Sequence, residues 1–164
     1  ETAVGQYPVT SVETMQRIAL TTEAYLDESP YMQPPRVEAP EMSGVTAGLI
    51  AAVGRLVEDV DARLVAVWSE DGLSARLLSK ARIDVPVLAF SSSMQVCRWM
   101  CLQYGLVPCR QDAPADPGAF IDLVEETIRR RDLARPSEHI LLLADQPLNR
   151  PQSADALLVH TLSH

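Results

Sequence analysis

The residues best suited to chemistry gather in one short stretch, Ser69-Glu70-Asp71-Gly72-Leu73-Ser74, lying between an apolar run and a helical pattern. Ser69 and Ser74 supply hydroxyls around Gly72. A helix starting beside a glycine offers free backbone N–H groups and the positive end of its dipole, a seat suited to an anion such as a phosphate. Asp71 works against that chemistry, because its carboxylate repels the same anion. A second stretch, 145–154, carries Asn149 and Arg150, and Arg150 is a cation able to face the first loop. Ser69, Asp71, Gly72, Leu73, Ser74, Asn149 and Arg150 therefore form the candidate set for a phosphorylated small molecule, bound weakly. The competing reading is local: Ser69 and Asp71 simply cap a helix.

Other reactive side chains form no constellation. Cys97 and Cys101 stand four apart in a helical pattern with Cys109 nearby, and three thiols could hold a metal. No Cys-x-x-Cys and no adjacent His accompanies them, so they are expected to pack as small hydrophobes. His160 falls in a strand and His164 at the end of the chain, neither beside a catalytic partner in sequence. Ser91-Ser92-Ser93 is expected to cap a helix, since no Gly-x-Ser-x-Gly elbow surrounds it. No catalytic residue, metal ligand or cofactor is expected within this chain.

The elements that must position the candidate loops follow from periodicity. Val12, Met15, Ile18, Ala19 and Tyr25 or Leu26 recur at helical spacing, with Thr10 or Ser11 as the expected cap and Glu13 in the first turn. Residues 28–40 hold Pro30, Pro34, Pro35 and Pro40, an extended linker by composition. The expected organisation is thus a loop and helix over 1–27, the linker over 28–40, and a domain over 41–164. Within that domain helices are expected over 43–59, 72–81, 92–104 and 117–133. Strands are expected over 63–68, 85–90, 106–109, 139–144 and 155–162. Strands separated by single helices imply a parallel sheet with right-handed crossovers. The last two are joined by about ten residues, fewer than a parallel crossover needs, so the fifth strand should run antiparallel at the edge. The expected fold is a three-layer α/β/α domain with a mostly parallel sheet of order 3-2-1-4-5. Its two candidate loops, 69–74 and 145–154, lie where the strand order reverses, the usual ligand crevice of such sheets.

Bulk properties narrow the partners. The net charge of −8 and the scattered basic residues argue against nucleic acid; the cluster Arg129-Arg130-Arg131 sits beside Glu125 and Glu126 and reads as a solvated helix end. No apolar run approaches the roughly 20 residues of a membrane span. An odd number of cysteines and the lack of a basic, apolar leader fit a cytoplasmic setting. A first residue other than Met suggests the continuation of a longer chain.

The chain opens Glu1-Thr2-Ala3-Val4-Gly5-Gln6-Tyr7-Pro8, with Glu-Thr-Ala, Gly and Tyr-Pro in the register of a known motif. It resembles the end of the Leu-Ser-Gly-Glu-Thr-Ala-x-Gly-x-Tyr-Pro motif of the pyruvate kinase family, which follows the last barrel strand. Val65-Ala66-Val67-Trp68-Ser69-Glu70-Asp71-Gly72-Leu73-Ser74-Ala75 resembles the family's apolar strand followed by Thr-x-Ser-Gly-x-Ser/Thr-Ala. Pro86-Val87-Leu88-Ala89-Phe90 and Tyr104-Gly105-Leu106-Val107-Pro108 fall where the family has a strand and a Tyr-Arg-Gly-hydrophobic-Pro-like segment.

By this resemblance, residues 1–27 are the last loop and helix of a catalytic barrel, and 41–164 the C-terminal domain. The family's barrel transfers a phosphoryl group from phosphoenolpyruvate to ADP with magnesium and potassium; its motifs are absent from this chain, which is expected to be inactive alone. The C-terminal domain is expected to make homo-oligomer contacts, to partner the barrel and, in many members, to bind a phosphorylated effector. Asp71 stands where the family has Ser, and Leu73 where many members have Arg or Thr. Gln146-Pro147-Leu148-Asn149-Arg150-Pro151 replaces the family's glycine-rich turn and Thr-Asn. The alternatives are a purely structural subunit-contact module and an independent small protein on the same fold.

Overall fold

Proline needs no hydrogen-bonding N–H at the first position of a helix, and Pro8 opens the first one here, α1 (Pro8–Asp27). The computed structural model describes residues 2–27, 44–144 and 155–163. The chain divides into two units, Glu1–Pro34 and Pro35–His164, and α1 belongs to the first. Thr10 and Ser11 do not cap α1 but lie inside it. The Ser11 N–H and hydroxyl both donate to the Tyr7 carbonyl, at 3.0 and 2.9 Å. Thr14, Thr21 and Thr22 likewise return their hydroxyls to carbonyls four residues back, so none of them competes with the helix. Glu13 consequently falls beyond the first turn. Val12, Met15 and Ile18 of the expected stripe are exposed. The proline-rich stretch lies outside the described residues.

The second unit alternates helix and strand. Its elements are α2 (Gly44–Asp59), β1 (Leu64–Trp68), α3 (Leu73–Lys80), β2 (Val87–Ser91) and α4 (Met94–Met100). They continue through β3 (Leu106–Arg110), α5 (Pro117–Arg131), β4 (His139–Ala144) and β5 (Ala156–Thr161). The sheet order is β3-β2-β1-β4-β5, with all pairs parallel except β4–β5. The last pair is antiparallel, in register Leu141↔Val159, as the short connection requires.

Strand alternation sorts the core into two halves. Leu64, Ala66 and Trp68 of β1, Leu88 and Phe90 of β2, and Ile140 and Leu142 of β4 pack with Phe120, Val124 and Ile128 of α5. Val65, Val67, Val87, Ala89, Leu141 and Leu143 pack on the other face with Ile50, Val53 and Val57 of α2, Leu77 and Leu78 of α3, and Met100 of α4. Both faces of β1, β2 and β4 are covered, which is why these strands read as unbroken apolar runs rather than alternating ones. Burying each such Leu, Val or Phe contributes about 1.5–3 kcal/mol. Phe120 meets Trp68 and Phe90 edge-on, with centroids 6.1 and 5.6 Å away.

Helix ends explain the boundaries that differ from expectation. Ser93 has an extended backbone and caps α4, accepting from Val96 N–H at 3.3 Å, so Ser92 stays outside. α4 stops at Met100, four residues before the expected end. There Leu102 and Gln103 N–H turn back to the carbonyls of Trp99 and Met100 in tight three-residue steps. α5 starts under the Asp116 cap, whose carboxylate accepts from Ala119 N–H at 2.9 Å, and ends at Asp132 in the left-handed region. Arg129 approaches the largely buried Glu125 at 3.8 Å, and Arg130 reaches Glu126 at 3.9 Å, the latter an exposed pair worth under about 1 kcal/mol.

Candidate functional site

β1 and β2 run parallel with Trp68 level with Phe90, so the loops that follow them emerge side by side at the carboxyl end of the sheet. Loop 69–74 is anchored there by Ser69, which is buried and donates its N–H to the Phe90 carbonyl at 2.9 Å. The chain then turns through Gly72, whose φ of 80° is the left-handed conformation that glycine adopts without strain. Space imposes the same choice. A Cβ at Gly72 would stand 3.1 Å from Val96 Cγ1 and 3.3 Å from the Trp99 ring.

The start of α3 presents four N–H groups, on Gly72, Leu73, Ser74 and Ala75, and the chain itself occupies three. Gly72 N–H donates to the Ser69 carbonyl at 3.2 Å, Leu73 N–H to Asp71 Oδ1 at 2.9 Å, and Ala75 N–H to Ser69 Oγ at 3.3 Å. An anion would need the same donors. Asp71 thus places a carboxylate where an anionic ligand would seek N–H groups, and Ser69 caps from below.

Of the candidate residues, Ser69, Asp71, Gly72 and Ser74 come together in this loop, with Ser74 buried. Leu73 is partly buried and packs against the α2–α4 half of the core, so its side chain serves the fold. Asn149 and Arg150 lie outside the described residues.

One residue with a clear role escaped the sequence reading. Glu70 reaches across to the loop after β2, where its carboxylate accepts from the Ser92 N–H at 3.1 Å and from the Ser92 hydroxyl. Its carbonyl accepts from the Ser91 hydroxyl at 3.2 Å. Ser91 Oγ in turn accepts from Ser93 N–H at 3.1 Å. The serine run is therefore a hydrogen-bonded joint that ties loop 69–74 to the start of α4. The parallel pairing of β1 with β2 was the signal that could have brought Glu70 and the serines together.

Of the three cysteines expected to pack as small hydrophobes, Cys97 and Cys109 do and Cys101 does not, because its side chain stands on the exposed side of the turn that ends α4. Cys97 and Cys109 are buried and Cys101 is exposed, all three free thiols. Burial pushes the Cys97 thiol up, assisted by Cys101, and burial likewise raises Cys109. Among the described residues no group of three His, Cys, Asp or Glu side chains is arranged to hold a metal ion. His160 Nε2 lies 2.8 Å from Glu125 Oε1, and the Ser163 hydroxyl donates to both oxygens of the same carboxylate. Imidazole and hydroxyl converge on one acceptor, so in this arrangement His160 does not activate Ser163. Among the described residues no helix is long and apolar enough to cross a membrane.

Comparison with known proteins agrees with the fold. Residues 47–160 match the family described as pyruvate kinase, alpha/beta domain. Pyruvate kinase of Agrobacterium vitis is 30% identical over 162 residues, covering 97% of this chain and 33% of that protein. Pyruvate kinase of Thermococcus litoralis is 29% identical over 164 residues, covering 97% and 33%, and that of Lactococcus lactis 28% over 148 residues, covering 90% and 29%. The chain spans about a third of the length of these curated relatives. Strand order, the antiparallel last strand and the matched span converge: the chain belongs to the pyruvate kinase family, as its C-terminal α/β domain.

Proposed function

We infer that this domain is the regulatory and subunit-contact part of a phosphotransferase that moves a phosphoryl group from phosphoenolpyruvate to ADP, and that it does no chemistry alone. The observation that carries the reading is the family match over residues 47–160, which falls on the α/β domain of proteins about three times as long. Phosphoryl transfer rests on bound metal ions and positioned charges. In this reading magnesium and potassium belong to the catalytic barrel of the parent protein. The setting proposed is the cytoplasm.

The phosphorylated effector, if the parent uses one, would address loop 69–74 through Ser69, Gly72 and Ser74, with Asn149 and Arg150 as the further residues proposed to bind it. The donors already taken by Asp71 and Ser69 favour the second reading, a domain that chiefly makes subunit contacts and binds sugar phosphates weakly. Exposed Leu158 and Val159 on edge strand β5 supply an apolar surface with little charge to blunt pairing with a second copy. Two measurements on the 164-residue chain test the reading. A coupled assay with phosphoenolpyruvate, ADP, magnesium and potassium should show no turnover above the buffer blank. Light scattering at micromolar concentration should report a dimer or larger. Turnover that follows the protein through purification, or a clean monomer, would overturn the respective half.

A further inference from the structure

Cys97 and Cys101 stand one turn apart at the end of α4. Residues four apart in an α-helix share a face, and the helical rise and radius put their Cα atoms about 6.2 Å apart. That separation falls within the roughly 4.4–6.8 Å that a disulfide spans. The Cys101 N–H donates to the Cys97 carbonyl at 3.2 Å and its thiol to the same carbonyl at 3.4 Å, so Cys101 folds back over the turn that carries Cys97. Beyond it Leu102 and Gln103 bond back only three residues, to Trp99 and Met100 at 3.1 and 3.0 Å. Cys101 is thus the cap of α4 rather than part of its regular ladder, and its backbone is free to adjust.

The two thiols differ in access. Cys101 is exposed, whereas Cys97 is buried with its Sγ 3.8 Å from the Ser91 carbonyl. An exposed thiol beside a second one captures a peroxide reversibly: the first is oxidised to a sulfenic acid, and the second condenses with it before further oxygens add. Burial raises the Cys97 thiol, which keeps it from reagents in solution until an electrophilic sulfur stands beside it. Cys109 is placed differently. It packs with Phe120 and Val124 on one face of the sheet, while Cys97 packs with the α2–α3 half of the core on the other.

We propose that Cys101 is a peroxide-reactive site and that Cys97 resolves it, closing a reversible disulfide across the last turn of α4. The Cys101 sulfur attacks the peroxide, the O–O bond breaks, one oxygen stays on sulfur and the other leaves as water. The Cys97 sulfur then attacks the sulfenic sulfur. The S–S bond forms, the S–O bond breaks, and a second water carries away the Cys97 proton. The thiol pair gives up two electrons to one hydrogen peroxide, and a thiol reductant restores it. The chemistry is independent of the role proposed for loop 69–74, although it takes place on the helix whose Val96 and Trp99 crowd Gly72.

Peptide mapping of the 164-residue chain, reduced and then treated with a small molar excess of hydrogen peroxide, tests the assignment. Trypsin cuts after Arg98 and chymotrypsin after Tyr104, so Cys97, Cys101 and Cys109 fall on separate peptides. Peroxide should remove two hydrogens from the intact folded chain and join the Cys97 and Cys101 peptides by a link that dithiothreitol opens. Cys97→Ser should leave Cys101 as a sulfenic acid that dimedone traps, and Cys101→Ser should give no link from Cys97. An unlinked map, a link through Cys109, or joining of separate chains through Cys101 in place of the internal bond overturns the proposal. The map of the unaltered chain decides the matter even if a variant fails to fold.

Discussion

Glu125 of α5 accepts a hydrogen bond from His160 Nε2 of β5 at 2.8 Å, across 35 positions of sequence, and so ties the edge strand to the helix that covers the sheet. Ser163 adds its hydroxyl at 2.8 and 3.0 Å and its N–H at 3.4 Å, and Arg129 approaches the same carboxylate at 3.8 Å. Only 16% of the Glu125 side chain is exposed, so these bonds are shielded enough to matter. Hydrogen bonds to a charged group are worth about 1.5–3 kcal/mol. Glu125→Ala should destabilise the domain by about that much, and His160→Ala by less, because Ser163 remains. Urea unfolding measures both; a change below about 0.5 kcal/mol for Glu125→Ala would mean that β5 does not depend on this tie.

The same contact predicts a pH dependence. The bonds from His160 and Ser163 hold the Glu125 carboxyl below its ordinary value. A depressed carboxylate contributes stability that is present above its unfolded value, about 4.3, and is lost as pH falls through the folded value. Stability should therefore decline more steeply with acid in the unaltered chain than in Glu125→Gln. Parallel acid curves for the two proteins would contradict that assignment.

The fold was legible where one physical rule acted without rivals. Apolar runs such as Leu64 to Trp68 announced buried strands because both of their faces are covered. The short path from β4 to β5 dictated an antiparallel edge. Capping was harder to read. Thr10 and Ser11 looked like caps by residue type, yet Pro8 at the first position claimed the start of α1. The site was legible only in part. Glycine at 72 beside two serines marked the loop, but the role of Glu70 depends on Ser92, a contact set by the parallel register of β1 with β2.

Thiol reactivity should separate the cysteines. The thiolate is the reactive form, and burial raises both Cys97 and Cys109. Cys101 is exposed, and its thiol donates to the Cys97 carbonyl at 3.4 Å. Ellman's reagent at neutral pH should modify Cys101 rapidly and the other two only on unfolding, and Cys101→Ser should delete the fast phase. Three equal rates would contradict the packing described for α4 and β3.

Two left-handed glycines give a controlled comparison. Gly72 and Gly105 have φ of 80° and 69°, but a Cβ at 105 would meet nothing within 4 Å. Gly105→Ala should cost about 1–2 kcal/mol, the backbone term alone. Gly72→Ala should cost more, since its methyl must also displace Val96 or Trp99. Equal losses in urea unfolding would show that loop 69–74 yields without strain.

Asp71 should set the anion response of that loop. Its Oδ1 holds the Leu73 N–H at 2.9 Å, so a phosphate must displace it and then face it. A carboxylate about 4 Å from a phosphate costs roughly 4 kcal/mol per unit charge at an effective dielectric of 20. The end of a helix returns only about 0.3–1 kcal/mol. Repulsion wins, and Leu73 offers no cation to offset it. Asp71→Ser keeps a capping oxygen while removing the charge, so the loop should stay folded and accept an anion. Calorimetric titration with fructose 1,6-bisphosphate, ribose 5-phosphate and AMP should find weak or no binding by the unaltered chain and measurable binding by Asp71→Ser. Arg150→Ala should remove any binding that the unaltered chain retains. Tight binding by the unaltered chain, undiminished in Arg150→Ala, would refute the electrostatic argument and leave Asp71 as a helix cap alone.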